Sequence, residues 1–159
     1  IRKEILNGYM QKIKKAGGID IQIIGVGGRG HVAFHESGVP FEGSSVMLVK
    51  LDDNTIKDSV TDGHFISKKD YPNYAISMSA ELVYQARNVV LLANGERKVE
   101  SVTRSLLGDV NPEVPISYGQ KYALNGGNLI YVLDKIAGRN LIDNKSNLKK
   151  MNIVLKDLT

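Results

Sequence analysis

The chain contains 159 residues, of which 42% are hydrophobic and 24% are charged, and its formal net charge is +4 at pH 7. This length and composition predict a single domain over residues 1–159, and they exclude both a disordered chain and a long repeat array. The mild positive charge is scattered, so it favours small anionic ligands only weakly and predicts no nucleic-acid partner.

The absence of cysteine restricts the chemistry and the compartment of the protein. It excludes disulfides, thiolate zinc sites and cysteine nucleophiles, and it fits a reducing cytoplasm. Apolar runs all fall short of the ~20 residues that a membrane span requires, and residues 1–18 are too charged for a signal peptide. We therefore expect a cytoplasmic protein without a membrane partner.

The first predicted element is a helix over residues 2–16, where apolar residues recur at spacings of three and four. Gly17 and Gly18 are expected to end it as a left-handed cap. Residues 19–24 form a short β-branched run followed by glycines, which predicts a buried strand. Similar short apolar runs predict strands over 46–51, 74–78, 88–93, 129–133 and 152–155. Helical spacing predicts helices over 79–87, 96–107 and 143–150.

The alternation of strands with helices predicts the fold class. It is typical of an α/β, Rossmann-like doubly wound domain with a mostly parallel sheet and helices on both faces. In such folds the functional groups gather at the carboxyl ends of the strands. The loops after these strands are therefore the places to look for chemistry.

A glycine-rich loop follows the first predicted strand, and residues 25–30 match the pattern G-x-G-x-x-G. Such a loop can bind the pyrophosphate of NAD, and Asp52 or Asp53 would then bind the ribose. That site also requires a long helix starting at the last glycine. Gly38 and Pro40 would end any helix here after about two turns. An NAD-binding domain is therefore the less favoured alternative.

The same loop also fits a sugar site. Gly27, Gly28 and Gly30 would let a sugar approach the backbone, and His31 would enter the pocket from the end of the strand. A neutral imidazole backed by the carboxylate of Glu36 can pass a proton between a pyranose ring oxygen and its anomeric hydroxyl. Spacing alone leaves a second interpretation equally open, in which His31 caps a short helix and Glu36 is solvated.

Histidine spacing raises a metal site as a further alternative. His31 and His35 have the i, i+4 spacing of two ligands on one helix. The motif H-E-x-x-H is absent, and His64 lies in a stretch with the composition of a surface turn. With no third ligand apparent, we expect no metal.

Three segments of the sequence resemble the glucosamine-6-phosphate deaminase/isomerase family. GVGGRGHVAFHESG, residues 25–38, is similar to the family signature G-x-G-x-D-G-H-I-A-F-N-E-P. PNYAISMSAELVYQARNVVLLANGERK, residues 72–98, resembles a second family segment that ends in G-x-x-K. ISYGQ and LIYVLD, at 116–120 and 129–134, resemble its late S-x-x-Q motif and terminal strand.

The resemblance implies a reaction and a role for three residues. In the family the histidine of the G-H motif opens the sugar ring, the glutamate supports it and the lysine of the G-x-x-K turn binds the substrate phosphate. These positions are His31, Glu36 and Lys98. The family converts a phosphorylated amino sugar to a ketose phosphate and releases ammonia, without a cofactor. Lys98 also lies in the first turn of a predicted helix, where backbone N–H groups and the macrodipole favour an anion.

The sequence departs from the family pattern at several positions. Arg29 replaces the aspartate two residues before the histidine, and His35 and Ser37 replace the asparagine and proline of the signature. The family's phosphate-binding arginine has no counterpart in residues 54–61, where Lys57 is the basic candidate.

The family also places the carboxylate that moves the proton between C1 and C2 before the matched region. Because the chain opens with Ile1 directly in a helical pattern, we expect residues 1–159 to be the carboxyl-terminal part of a longer chain. Two alternatives share the fold: a related isomerase or lactonase without deamination, and a non-catalytic sugar-phosphate sensor. Association into a homo-oligomer is also expected from the resemblance.

Overall fold

The computed structural model of the protein describes residues 3–41, 46–61, 63 and 66–158. The helices are α1 (Lys3–Lys15), α2 (Asp53–Thr61), α3 (Ala80–Val83), α4 (Val99–Leu107), α5 (Gly119–Leu124), α6 (Arg139–Asp143) and α7 (Lys145–Lys150). The strands are β1 (Ile21–Gly25), β2 (Val46–Lys50), β3 (Tyr74–Met78), β4 (Asn88–Ala93) and β5 (Asn128–Leu133). Short 3-10 turns cover Lys68–Asp70, Glu96–Lys98 and Pro115–Tyr118. In the part of the chain that the structure describes, no helix is long and apolar enough to cross a membrane.

A parallel sheet with the strand order β1-β4-β5 organises the domain. Ile24 of β1 pairs with Leu91 of β4, which pairs in turn with Tyr131 of β5. The predicted α/β class, with a parallel sheet flanked by helices, is confirmed. β2 and β3 form a separate antiparallel pair, an arrangement that the sequence pattern did not predict.

One face of the parallel sheet carries the main core. Ile24, Val89 and Leu91 point to this face and are at most 6% exposed. Val102 and Leu106 of α4 are four residues apart, so they share one helix face, and both belong to the same buried cluster. This packing fixes the carboxyl ends of β1 and β4 relative to each other.

The opposite side of the parallel sheet, which we call the open face, is apolar but exposed. Its side chains are 44–62% exposed and comprise Ile21, Ile23, Leu92, Ile130 and Val132. Parallel sheets normally have both faces covered, because their strands are apolar on both sides. The open face therefore has the composition of a buried surface.

The predicted strand over 152–155 is wrong. Asn152 adopts a left-handed backbone with a φ of 58°. The amide of Ile153 donates to the carbonyl of Leu148 at 2.9 Å, so this segment closes the end of α7. Val154 is exposed. A short apolar run was sufficient to predict a strand, but the run caps a helix instead.

Candidate active site

The glycine loop after β1 places the ring of His31. The amide of Gly27 donates to the carbonyl of His31 at 3.1 Å, and the amide of Gly30 donates to the carbonyl of Gly27 at 2.9 Å. A Cβ on Gly27 would lie 2.1 Å from Cε1 of His31, so the imidazole occupies the space that a side chain would fill. Gly30 has a φ of +85°, which favours glycine. Gly28 is partly buried in the same loop, and contact of these glycines with a sugar stays a prediction.

A tight turn, rather than the expected short helix, joins His31 to Glu36. Val32 and His35 form an isolated β-bridge, and the amide of His35 donates to the carbonyl of Val32 at 2.9 Å. Ala33 has a φ of 50°, which no helix would allow. The helix required for NAD binding is therefore absent from residues 31–41, all of which the structure describes.

The structure brings His31 and Glu36 together. Nδ1 of His31 lies 3.7 Å from Oε2 of Glu36, and the two side chains are 19% and 6% exposed. The hydroxyl of Thr55 donates to the same Oε2 at 2.9 Å. Oε1 is buried without a hydrogen-bond partner in the described part of the chain. Glu36 is not solvated, so its carboxylate can act directly on the imidazole.

Burial raises the pKa of the Glu36 carboxyl above its ordinary value. The hydrogen bond from Thr55 opposes this effect because it favours the charged form. A carboxyl of raised pKa keeps its proton over a wider pH range. The environment of Glu36 therefore affects how readily the carboxylate beside His31 takes up a proton.

His35 has a structural role. It is fully buried. Its Nε2–H donates to the carbonyl of Val39 at 2.9 Å, and its Nδ1 accepts from the amide of Ala80 at 3.0 Å. Both ring nitrogens are occupied, which removes His35 as a candidate metal ligand. Among the described residues, no group of three or more His, Asp and Glu side chains could hold a metal.

The burial of His35 predicts that the free energy of unfolding falls as the pH is lowered. Burial lowers the pKa of its imidazole below the ordinary value of 6.5, so the folded protein takes up this proton less readily than the unfolded chain. Its contribution to stability is complete above pH 6.5 and is lost as the pH falls below that value, with a slope of at most about 1.4 kcal/mol per unit. Urea unfolding at pH 7, 6 and 5 measures this loss. His35→Asn keeps an acceptor for Ala80 but cannot titrate, so its stability should depend less on pH; identical pH dependence would contradict the assignment.

Arg29, which stands where the family pattern has an aspartate, is paired with Asp52. Nη1 of Arg29 lies 2.8 Å from Oδ2 of Asp52. The other carboxylate oxygen, Oδ1, accepts the amide of Thr55 at 2.8 Å and so caps the start of α2. Asp52, which the NAD alternative assigned to a ribose, is thus bonded within the protein through both oxygens.

Lys98 lies at the same edge of the sheet as His31. His31 follows β1 and Lys98 follows β4, and these strands are parallel neighbours, so both loops leave the sheet at its carboxyl edge. Lys98 is partly buried in the turn Glu96–Lys98 that leads into α4. Lys57, the other basic candidate, is exposed on α2.

Two acidic groups hold the Lys98 turn, and sequence reasoning missed both of these contacts. The carboxylate of Asp134 accepts the amide of Gly95 at 3.0 Å. Glu96 forms a bidentate ion pair with Arg139, in which Nη1 and Nη2 of the arginine donate to the two carboxylate oxygens at 2.5 and 2.6 Å. Asp134 directly follows β5, which is a recognisable position at the carboxyl edge; the Glu96–Arg139 pair has no local signal because its members are distant in sequence.

Comparisons with known proteins identify the family of this chain. A family model described as "Glucosamine-6-phosphate isomerases/6-phosphogluconolactonase" matches residues 2–130. The chain is 38% identical to a glucosamine-6-phosphate deaminase of Clostridium acetobutylicum over 133 residues, which are 84% of this chain and 52% of the relative. The chain therefore spans about half the length of the curated relatives it matches.

Solved structures share the fold. A monomeric glucosamine-6-phosphate deaminase of the NagB superfamily superposes with a TM-score of 0.73 and 26% identity, over 84% of this chain and 53% of that one. The 6-phosphogluconolactonase of Trypanosoma brucei gives a TM-score of 0.57 at 22% identity, over 87% of this chain and 53% of that one. The second similarity shows the fold alone.

Proposed function

Because this chain belongs to the glucosamine-6-phosphate isomerase/6-phosphogluconolactonase family, we propose that its complete gene product is an amino-sugar phosphate isomerase and deaminase. Its substrate is glucosamine-6-phosphate or a close relative. The observation that carries the proposal is the buried Glu36 carboxylate 3.7 Å from Nδ1 of His31, at the sheet edge that also holds Lys98. The 38% identity to a deaminase supports the choice of substrate class.

In the proposed mechanism, His31 opens the sugar ring by passing a proton from the anomeric hydroxyl to the ring oxygen. Glu36 orients the imidazole and stabilises its charged form. Lys98 holds the phosphate as a compact cation at the start of the helical turn. A proton then moves from C2 to C1, which leaves an imine at C2. Water adds to that imine and ammonia leaves, giving the ketose phosphate.

The proton transfer between C2 and C1 needs a further base besides His31, Glu36 and Lys98. We propose that residues 1–159 are the carboxyl-terminal part of a longer chain that supplies it. The half-length match to the relatives supports this proposal, as does the apolar open face of the sheet. The intact mass of the native protein tests it, since a mass equal to that of 159 residues would contradict it.

Arg29 favours a second candidate function. It pairs with Asp52 and replaces the carboxylate that the family pattern places two residues before the histidine. A related sugar-phosphate isomerase or lactonase would use the same fold and Lys98 without releasing ammonia. A non-catalytic sensor would bind the sugar phosphate without turnover. Cytoplasmic location, homo-oligomer formation and the lack of a cofactor or nucleic-acid partner stay predictions.

Ligand binding tests the proposed pocket. We expect glucosamine-6-phosphate at 100 times its Kd to stabilise the complete gene product by about 2.7 kcal/mol, which a thermal shift detects. Lys98→Ala should abolish this shift, because the phosphate loses its cation. Galactosamine-6-phosphate, inorganic phosphate and NAD are measured in parallel.

Lys12→Ala is the matched control for Lys98→Ala. Lys12 is exposed in the last turn of α1 and is not part of the proposed site. This variant should keep the full thermal shift with the sugar phosphate. A shift with NAD alone would overturn the proposed pocket, as would a sugar-phosphate shift that Lys98→Ala leaves intact.

A further inference from the structure

Thr55 contacts the carboxylate that faces His31. Its side chain is buried, and its hydroxyl donates to Oε2 of Glu36 at 2.9 Å. This is the same oxygen that lies 3.7 Å from Nδ1 of His31. The other oxygen, Oε1, has no hydrogen-bond partner among the described residues. The backbone of Asp52 also hydrogen-bonds to the Glu36 carboxyl. Because the terminal torsion of a glutamate is soft, the side-chain bond from Thr55 helps to fix which way this carboxylate is turned.

Thr55 is itself held in place through its backbone and its neighbour. Its amide donates to Oδ1 of Asp52 at 2.8 Å, which fixes the first turn of α2. Oδ2 of Asp52 accepts from Nη1 of Arg29 at 2.8 Å, so the carboxylate is bonded at both oxygens. Ile56, the next residue, packs in a buried cluster with Leu51. These contacts leave the Thr55 hydroxyl little freedom.

We propose that Thr55 is a positioning residue that aims the Glu36 carboxylate at His31, and that the Arg29–Asp52 pair holds the start of α2 for this purpose. The inference rests on the proposed function, because the pair that Thr55 positions is the one proposed to open the sugar ring. In this proposal Arg29 has a structural role at the start of α2, which differs from the role of the acidic residue at the same position of the family pattern. Arg29 acts on the site through Asp52 and Thr55.

Two substitutions separate the hydroxyl of Thr55 from its packing. Thr55→Val keeps the shape of the side chain and removes the donor, whereas Thr55→Ser keeps the donor and removes a methyl group. The matched control is Thr61→Val on the same helix, because the Thr61 hydroxyl bonds within α2, to the carbonyl of Lys57 at 3.0 Å, and Thr61 is exposed. All variants are made in the complete gene product.

The activity of these variants carries the first readout. We expect Thr55→Val to lower kcat about tenfold with KM nearly unchanged, because the ring-opening pair is misaligned while phosphate binding is intact. Thr55→Ser should stay within about threefold of the parent, and Thr61→Val should match the parent. A Thr55→Val variant with the parent's kcat would overturn the proposal, and so would a Thr55→Ser variant as impaired as Thr55→Val.

The second measurement is the pKa of Glu36, which does not require catalytic turnover. Thr55 and the backbone of Asp52 hydrogen-bond to this carboxyl, and the charged or titratable groups that bear on it in the described part of the chain are His31, Asp52 and Arg29. Loss of the Thr55 donor should raise the pKa of Glu36 further, and carbon-13 NMR of the labelled carboxyl should follow the shift in Thr55→Val but not in Thr55→Ser.

The two readouts keep the two proposals distinguishable. A complete gene product that converts no sugar phosphate would overturn the proposed function, and the Glu36 titration would then decide the positioning role alone. A Glu36 titration that is identical in the parent and in Thr55→Val would overturn the positioning role, whatever the activity of the parent.

Discussion

Replacing His31 with glutamine is expected to lower kcat for glucosamine-6-phosphate by about 10²–10⁴-fold in the complete gene product. Glutamine has a similar size and can form hydrogen bonds, but it does not exchange a proton near neutral pH. The side chain of His31 is 19% exposed, so a substrate can reach it, and it lies beside the buried carboxylate of Glu36. We therefore expect ring opening to be slowed strongly while binding through Lys98 continues.

The unfolding temperature of His31→Gln, measured with and without the sugar phosphate, shows whether the variant has lost the chemical step or the folded structure. His31→Gln should unfold near the temperature of the parent and should still be stabilised by the sugar phosphate. Formation of ammonia and of the ketose phosphate is measured separately, because both steps follow ring opening and both should be lost together. A variant that retains more than a tenth of the parent's kcat would show that another group opens the ring.

Gly27→Ala should reduce activity about a hundredfold or more, although no functional group is removed. The added Cβ would lie 2.1 Å from Cε1 and 2.3 Å from Nδ1 of His31, which is closer than atoms can approach. The imidazole must swing away from Gly27 and lose its alignment with Glu36. Lys98 is untouched, so the thermal shift with inorganic phosphate should survive.

Gly25→Ala is the matched control for Gly27→Ala. It lies two residues earlier, at the end of β1, and its added Cβ meets nothing within 4 Å in the described part of the chain. Its activity should stay close to that of the parent. Equal activities of Gly27→Ala and the parent would mean that the ring position seen here does not matter for the reaction.

Sequence patterns predicted the sheet better than they predicted the connections. Strands with buried residues such as Ile24 and Leu91 alternate along the chain with helices, in which apolar residues recur at helical spacing. This alternation is sufficient to predict the α/β class. α2 was missed because its sequence, DNTIKDSVT, is mostly polar and has few apolar residues to reveal a helical period. The strand prediction over 152–155 was wrong because a short apolar run predicts a strand whether or not a neighbouring strand is present to pair with it.

At the site, the family resemblance indicated that Glu36 supports His31, whereas spacing alone left a solvated Glu36 equally open. His31 and Glu36 are five residues apart, and the expected helix would have separated them by one and a half turns; the turn at Ala33 brings them to 3.7 Å. The contact of Glu36 with Thr55, 19 residues away, has no local signal. The same holds for the pairing of Arg29 with Asp52, which depends on where α2 starts.

Ammonia release from glucosamine-6-phosphate by the complete gene product tests the central claim most directly. We expect ammonia and ketose phosphate in equal amounts, both lowered at least about a hundredfold by His31→Gln and both strongly reduced by Lys98→Ala at low substrate concentration. The same preparation is offered 6-phosphogluconolactone. Hydrolysis of the lactone with no ammonia from any amino-sugar phosphate would contradict the deaminase assignment and favour the lactonase alternative, and binding of sugar phosphates without any turnover would identify a sensor.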